Sequence, residues 1–141
     1  MASTPTVKTY NPKLVKIALG SHMASGYDEN EFVQIEPHGD GTTEVVGADG
    51  EVNIAISPDS LQNITLTFLQ NSPTNEYLEN MDKKMRQSGD GFFPIMVKDM
   101  LGNELYAASI AWVKKAATWT RGKNHNNRQW TICGIGEVNY F

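Results

Sequence analysis

Two stretches of this chain alternate strictly between two sets of side chains. In residues 63–68, Ile64, Leu66 and Phe68 alternate with Asn63, Thr65 and Thr67. In residues 129–141, Trp130, Ile132, Gly134, Gly136, Val138 and Tyr140 hold one set of positions. Thr131, Cys133, Ile135, Glu137 and Asn139 hold the other. A period of two is the period of a strand, and it puts one face on a core and the other outside. A helical fold is therefore excluded for these segments.

Further strand signals surround them. Leu14, Val15, Ile17 and Leu19 begin a first strand, and residues 20–26 (GSHMASG) turn into a short second one. Phe32, Val33 and Ile35 follow, until Pro37-His38-Gly39-Asp40-Gly41 breaks the pattern. Residues 42–56 read as an extended hairpin, with Val52, Ile54 and Ile56 on its second strand. Its turn, Gly47-Ala48-Asp49-Gly50, offers glycine where positive φ is required. Phe92 to Val97 is a short strand interrupted by Pro94. Leu105 to Trp119 reads as a long strand bent near Lys114-Lys115.

One helix is expected, over about residues 73–87. Ser72 is a good N-cap, Pro73 suits the first helical position, and Glu76 suits the positive end of the dipole. Leu78, Met81 and Met85 share a face, and Ser88-Gly89-Asp90-Gly91 stops the helix. The two methionines read as core. About eight short strands and one helix point to a mainly β sandwich or barrel. Its 141 residues suit a single domain over 13–141, preceded by a loose polar arm at 1–12.

Composition removes several function classes. No run approaches the ~18 apolar residues of a membrane span. The net charge of −4 argues against a sequence-independent nucleic-acid binder. A single cysteine, Cys133, excludes an internal disulfide and a cysteine-based zinc site, and it reads as a buried small side chain. Ser21-His22 lacks a third catalytic partner. Glu36, His38 and Asp40 alternate as metal ligands do, but they lie in a turn. Asp28-Glu29-Asn30-Glu31 starts like a calcium loop and then departs from it at Phe32. Gly134-Ile135-Gly136 lacks the third glycine of a dinucleotide site, and the glycines read as points of close backbone approach. No catalytic, metal or cofactor site is expected.

The charges are segregated. Residues 1–79 carry a net −8 and residues 80–141 a net +4. Such halves either pair within one fold or make a self-complementary surface for head-to-tail assembly. Lys83, Lys84, Arg86, Arg121, Lys123 and Arg128 are the basic candidates for contact between subunits. The turn from Arg121 to Arg128, flanked by Trp119 and Trp130, also permits a rival reading as a single-strand nucleic-acid platform. A small-ligand β-barrel with an internal apolar cavity is a further rival.

Three segments carry a family resemblance: GYDENEFVQIEPHGDGTTEVVGADGEVNIAIS, LQNITLTFLQNSPTNEYLENM and the terminal GEVNYF. Their order is an acidic strand entry, an Asp-Gly turn, a GADGE hairpin, a threonine-rich strand and one helix. From about Leu14 to Phe141 the chain resembles the tail tube protein of contractile-tailed bacteriophages. The resemblance implies two packed antiparallel sheets closing toward a barrel, with one flanking helix. It implies a homohexameric ring that stacks into a hollow tube within a sheath, with DNA crossing the lumen during ejection. Sheath, baseplate or initiator, and terminator proteins would be its partners. It would be made in the host cytoplasm and reside in the virion tail. A related ring or baseplate component is the nearest alternative. Under this reading the hairpin is the ring-stacking arm, through Thr43, Glu44, Val46, Gly47, Asp49, Gly50 and Glu51. Glu36, Glu44 and Glu51 are the acids expected at the lumen or at stacking contacts, where carboxylates would repel phosphate.

Overall fold

The computed structural model describes residues 15–27, 32–99 and 104–140. The expected arm at 1–12, Leu14 and the acidic run Asp28 to Glu31 lie outside the described residues. Nine strands and one helix follow in the order β1 (Val15–Leu19), β2 (His22–Met23), β3 (Val33–Pro37), β4 (Thr42–Val46), β5 (Val52–Ile56), β6 (Leu61–Phe68), α1 (Pro73–Ser88), β7 (Phe93–Asp99), β8 (Glu104–Lys115) and β9 (Arg128–Tyr140). The fold is mainly β, with two antiparallel sheets and one flanking helix. Seven strands form one sheet in the order β2-β1-β7-β8-β9-β6-β3, and β4-β5 form the other.

The large sheet wraps a core built from alternate residues. Ile17 and Leu19 of β1, Ile64, Leu66 and Phe68 of β6, Ile95 of β7, and Trp130 and Ile132 of β9 all belong to one buried cluster, with Leu78 of α1. No ladder joins the outer strands β2 and β3, so the sheet does not close into a barrel. Residues 24–27 run between its two ends instead. The Ala24 N–H donates to the Ile17 carbonyl, the Leu69 N–H donates to the Gly26 carbonyl, and Tyr27 bridges Phe68.

The helix begins and ends for the expected reasons. The Ser72 hydroxyl accepts from the Thr74 N–H and donates to the Ser25 carbonyl. Gly89 closes the helix at φ +67°, its N–H donating to the Met85 carbonyl. Other contacts fasten α1 to the sheet. His22 Nε2 lies 3.0 Å from Thr74 Oγ1 and its ring stacks on Tyr77. Trp130 Nε1 donates to Asn75 Oδ1 at 2.9 Å, within the core.

Strand β8 departs from the expectation. It ends at Lys115 and does not continue to Trp119. Its pairing shifts between Ala108 and Ile110, and again between Val113 and Lys115. The first shift changes which residues face inward: Tyr106 and Ala108 are buried before it, Ala111 and Val113 after it. A single extra residue does this, because a bulge offsets the two-residue period by one. Opposite this point lies Gly136, where a Cβ would run into the Ala107 carbonyl. That close approach explains the glycine.

Candidate functional site

Strands β4 and β5 pair only with each other, in the register Thr42–Ile56 through Val46–Val52. Directly paired residues share a face, so Val46, Val52, Glu44, Ile54, Thr42 and Ile56 lie on one side of the hairpin. That side is largely apolar, and nothing among the described residues covers it. Val46 is 64% exposed, Ile54 68% and Ile56 82%. The turn is well formed. Gly50, at φ +87°, donates its N–H to the Gly47 carbonyl, and the Gly47 N–H donates to the Glu51 carbonyl. Asp49 Oδ1 accepts from the Glu51 N–H.

A neck connects this hairpin to the β3-β6 pair. The His38 N–H donates to the Leu61 carbonyl, and the Ser57 N–H donates to the Gly41 carbonyl. His38 Nδ1 sits 3.1 Å from Asp59 Oδ2, while Asp59 Oδ1 accepts from the Leu61 N–H at 2.9 Å. These bonds hold the Asp59 carboxyl below its usual range, the Leu61 amide contributing most and His38 next. From residue 17 to residue 82 the chain has no Lys or Arg. The arm thus carries Asp40, Glu44, Asp49, Glu51 and Asp59 without a basic residue of its own.

All the expected arm residues lie on this hairpin: Thr43, Glu44 and Val46 in β4, and Gly47, Asp49, Gly50 and Glu51 at the turn. The three expected acids separate. Glu44 and Glu51 belong to the arm. Glu36 belongs to β3, on the outward face of the large sheet, paired across the ladder with Asn63. That face is polar and sparsely charged here, with Gln34, Thr65, Thr67, Gln129 and Thr131 as neighbours. Cys133 is buried, as expected, and burial pushes its thiol pKa up.

The basic candidates divide. Lys83, Lys84 and Arg86 lie exposed near the end of α1, with Arg86 Nε 3.2 Å from both Asp82 carboxylate oxygens. Arg121 and Lys123 lie exposed between β8 and β9. Arg128 is a correction. Its Nη2 donates to Glu79 Oε1 at 2.7 Å and to the Ala117 carbonyl, and the residue is buried. A guanidinium already paired and desolvated inside the subunit is not free to reach another chain. The stacking platform is corrected with it. Trp130 is a core residue beneath Arg128, and only Trp119 of the pair stands outside, with the Arg121 guanidinium 4.3 Å from its ring centre.

The alternating Glu36, His38 and Asp40 do not converge. Among the described residues no three or more His, Cys, Asp or Glu side chains are grouped to hold a metal. A cleft of about 250 Å³ between Lys115, Thr118, Asn126, Gln129 and Thr131 has a polar lining, unlike an apolar ligand cavity. No helix among the described residues is long and apolar enough to cross a membrane.

The fold is shared with known proteins. The bacteriophage PhiTE tail tube protein family matches residues 11–139. The chain belongs to this tail tube family. Structural protein ORF10 of Pseudomonas phage KPP10 is 30% identical over 132 residues, covering 88% of this chain and 76% of the relative. The fold is found again in contractile injection systems. The sheath/tube terminator of an extracellular system, PVC, superposes with a TM-score of 0.65 at 11% identity, covering 96% of this chain and 99% of that one. The terminating cap of the anti-feeding prophage tube gives 0.61 at 13% identity, covering 99% and 97%. This tube family protein is thus a structural component of a phage tail, and that family is not an enzyme family.

Sequence reasoning passed over a second feature, on the outward face of β7, β8 and β9. Met96, Ile110 and Ile135 are each close to half exposed, and Ile110 pairs directly with Ile135. Trp112 joins them, meeting Phe92 edge-on. Lys16 pairs directly with Lys98 at the β1-β7 side. The alternation in β8 gives no warning of this patch, because apolar residues occupy both of its faces.

Proposed function

We propose that this chain is the tube subunit of a contractile tail. Six copies close into a ring, rings stack into a hollow tube inside a sheath, and DNA crosses the lumen during ejection. The observation that carries this reading is the 42–56 hairpin, a two-stranded sheet with an uncovered apolar face. Such a ribbon is marginal alone in water and gains stability when a partner covers it. A ring of identical chains needs two different complementary surfaces, and stacked rings need a top unlike the bottom. The hairpin supplies one surface through Thr43, Glu44, Val46, Gly47, Asp49, Gly50 and Glu51.

Glu36, with the hydroxyl and amide side chains around it, faces the lumen in this reading. The surface around Glu36 is polar, with Lys115 at its border opposite Thr131. So few cations let polyanionic DNA slide, since lysine and arginine would hold phosphates. Lys83, Lys84, Arg86, Arg121 and Lys123 remain the basic contacts to neighbouring subunits. The sheath, an initiator at the baseplate and a terminator are the other partners, and the subunit is made in the host cytoplasm. The solved sheath–tube complex of PVC, with a TM-score of 0.61 at 13% identity over 94% of this chain and 93% of its counterpart, has the same fold. A terminating ring is the second reading, favoured by the cap and terminator likenesses, and copy number in the particle separates the two.

Electron microscopy of the purified protein over a concentration series tests the proposal. Rings or tubes with a central channel are expected. Deletion of residues 46–51 is expected to leave single rings or monomers. Undiminished tubes from that deletion would overturn the arm assignment.

A further inference from the structure

The tube reading leaves open what covers the arm, and the outward face of the large sheet answers it. The arm has two properties that a receiving surface must match: an apolar face and an excess of carboxylates. The β7-β8-β9 patch matches both. Met96, Ile110 and Ile135 form an exposed apolar ridge on the face away from the core. At its border Lys16 and Lys98 stand directly opposite each other across the β1-β7 ladder, both exposed. Like charges in directly opposed strand positions destabilise a sheet, and an anion brought between them reverses that cost. Glu137 is exposed on the same face, across from Ala107, with strand β8 between it and Lys98 and strands β8 and β7 between it and Lys16.

We infer that the hairpin of a second copy of this chain docks on this patch. Val46, Ile54 and Ile56 of the arm lie over Met96, Ile110 and Ile135, and the arm's carboxylates reach the Lys16–Lys98 pair. The contact is heterologous, since arm and patch are different surfaces of one subunit, so it propagates from copy to copy instead of stopping at a dimer. It rests on the tube reading for its biological setting, but its chemistry is independent of that setting. The segregated charge of the chain then has a use: the acidic arm of one subunit seeks the lysines of the next.

The test is disulfide capture in the full chain, with Ile54→Cys and Ile110→Cys combined and copper-phenanthroline as oxidant. Both positions are exposed, so neither change disturbs the core. A ladder of dimers, trimers and higher species on a non-reducing gel is expected from the double variant and not from either single variant. A charge exchange supplies a second measure. Glu44→Lys with Glu51→Lys, or Lys16→Glu with Lys98→Glu, is expected to reduce capture at least about tenfold, and all four changes together to restore it. Absence of the ladder, an equal ladder from a single variant, or no restoration by the combined exchange would overturn the docking. Microscopy on the unsubstituted protein separates this from the tube reading. Tubes without capture would refute the docking alone, and capture without rings or tubes would uphold the docking and count against the tube.

Discussion

Strands β5 and β6 are written alike and end in opposite environments. β5 reads VNIAI and β6 ends ITLTF, each with apolar residues at alternate positions. In β6, Ile64, Leu66 and Phe68 are fully buried, whereas in β5, Val52, Ile54 and Ile56 are more than half exposed. The difference lies in neighbours. β6 sits between β9 and β3, and its inward face meets the common core. Among the described residues β5 has only β4 beside it, and no layer lies over either face. Alternation states that one face of a strand needs a cover. Whether the cover belongs to the same chain or to another copy is decided by what else the chain brings to that face.

The sharpest way to break this comparison is to make the same change on both sides of it. Leu66→Ala removes packed methyl groups from the closed core and is expected to cost about 2–5 kcal/mol. Urea or thermal unfolding reads that loss directly. Ile54→Ala is expected to leave monomer stability within about 0.5 kcal/mol, since its side chain is already in water. Its loss appears in assembly, as fewer tubes at a given protein concentration. Equal destabilisation by the two changes would mean that the arm packs on its own subunit.

A smaller effect on the buried side comes from the polar joint between α1 and β9. Asn75→Ala leaves the Trp130 indole N–H without its acceptor in the core. Orphaning a buried donor is expected to cost about 1–3 kcal/mol. Near-ultraviolet circular dichroism of the tryptophans follows the same event. The arm, which has no contact with α1 in this joint, is expected to assemble normally once the variant is folded.

The sequence showed the strands, the helix caps and the hairpin because each rests on local chemistry. Ser72, Pro73 and Gly89 act within a few residues of themselves, and so do Asp49 and Gly50. The irregular course of β8 was not legible, because its first register shift answers to the close approach at Gly136 of β9, which is distant in sequence. Arg128 misled for a similar reason. Beside Lys123 and Arg121 it reads as surface charge, and only the fold brings Glu79 to it. The lysine pair and the Met96–Ile110–Ile135 ridge are products of register, assembled from residues far apart in the chain.

The smallest effect sits at the neck, where the exposed arm meets the buried sheet. Asp59 accepts from the Leu61 N–H and faces His38, and these contacts hold its carboxyl below the ordinary aspartate value. A depressed carboxyl contributes stability that is present above the unfolded-state value and lost as pH falls through the lower folded value. Acid therefore loosens the neck while the core of β6 stays as it is. The Leu61 amide resonance is expected to titrate with a midpoint below about 3.9, the ordinary aspartate pKa, with Leu66 unchanged. In Asp59→Asn that titration disappears. A midpoint at or above the ordinary value would show that the neck bonds do not persist in solution, and the arm would then be hinged at 38–41 and 57–61 instead of held in line with β3 and β6.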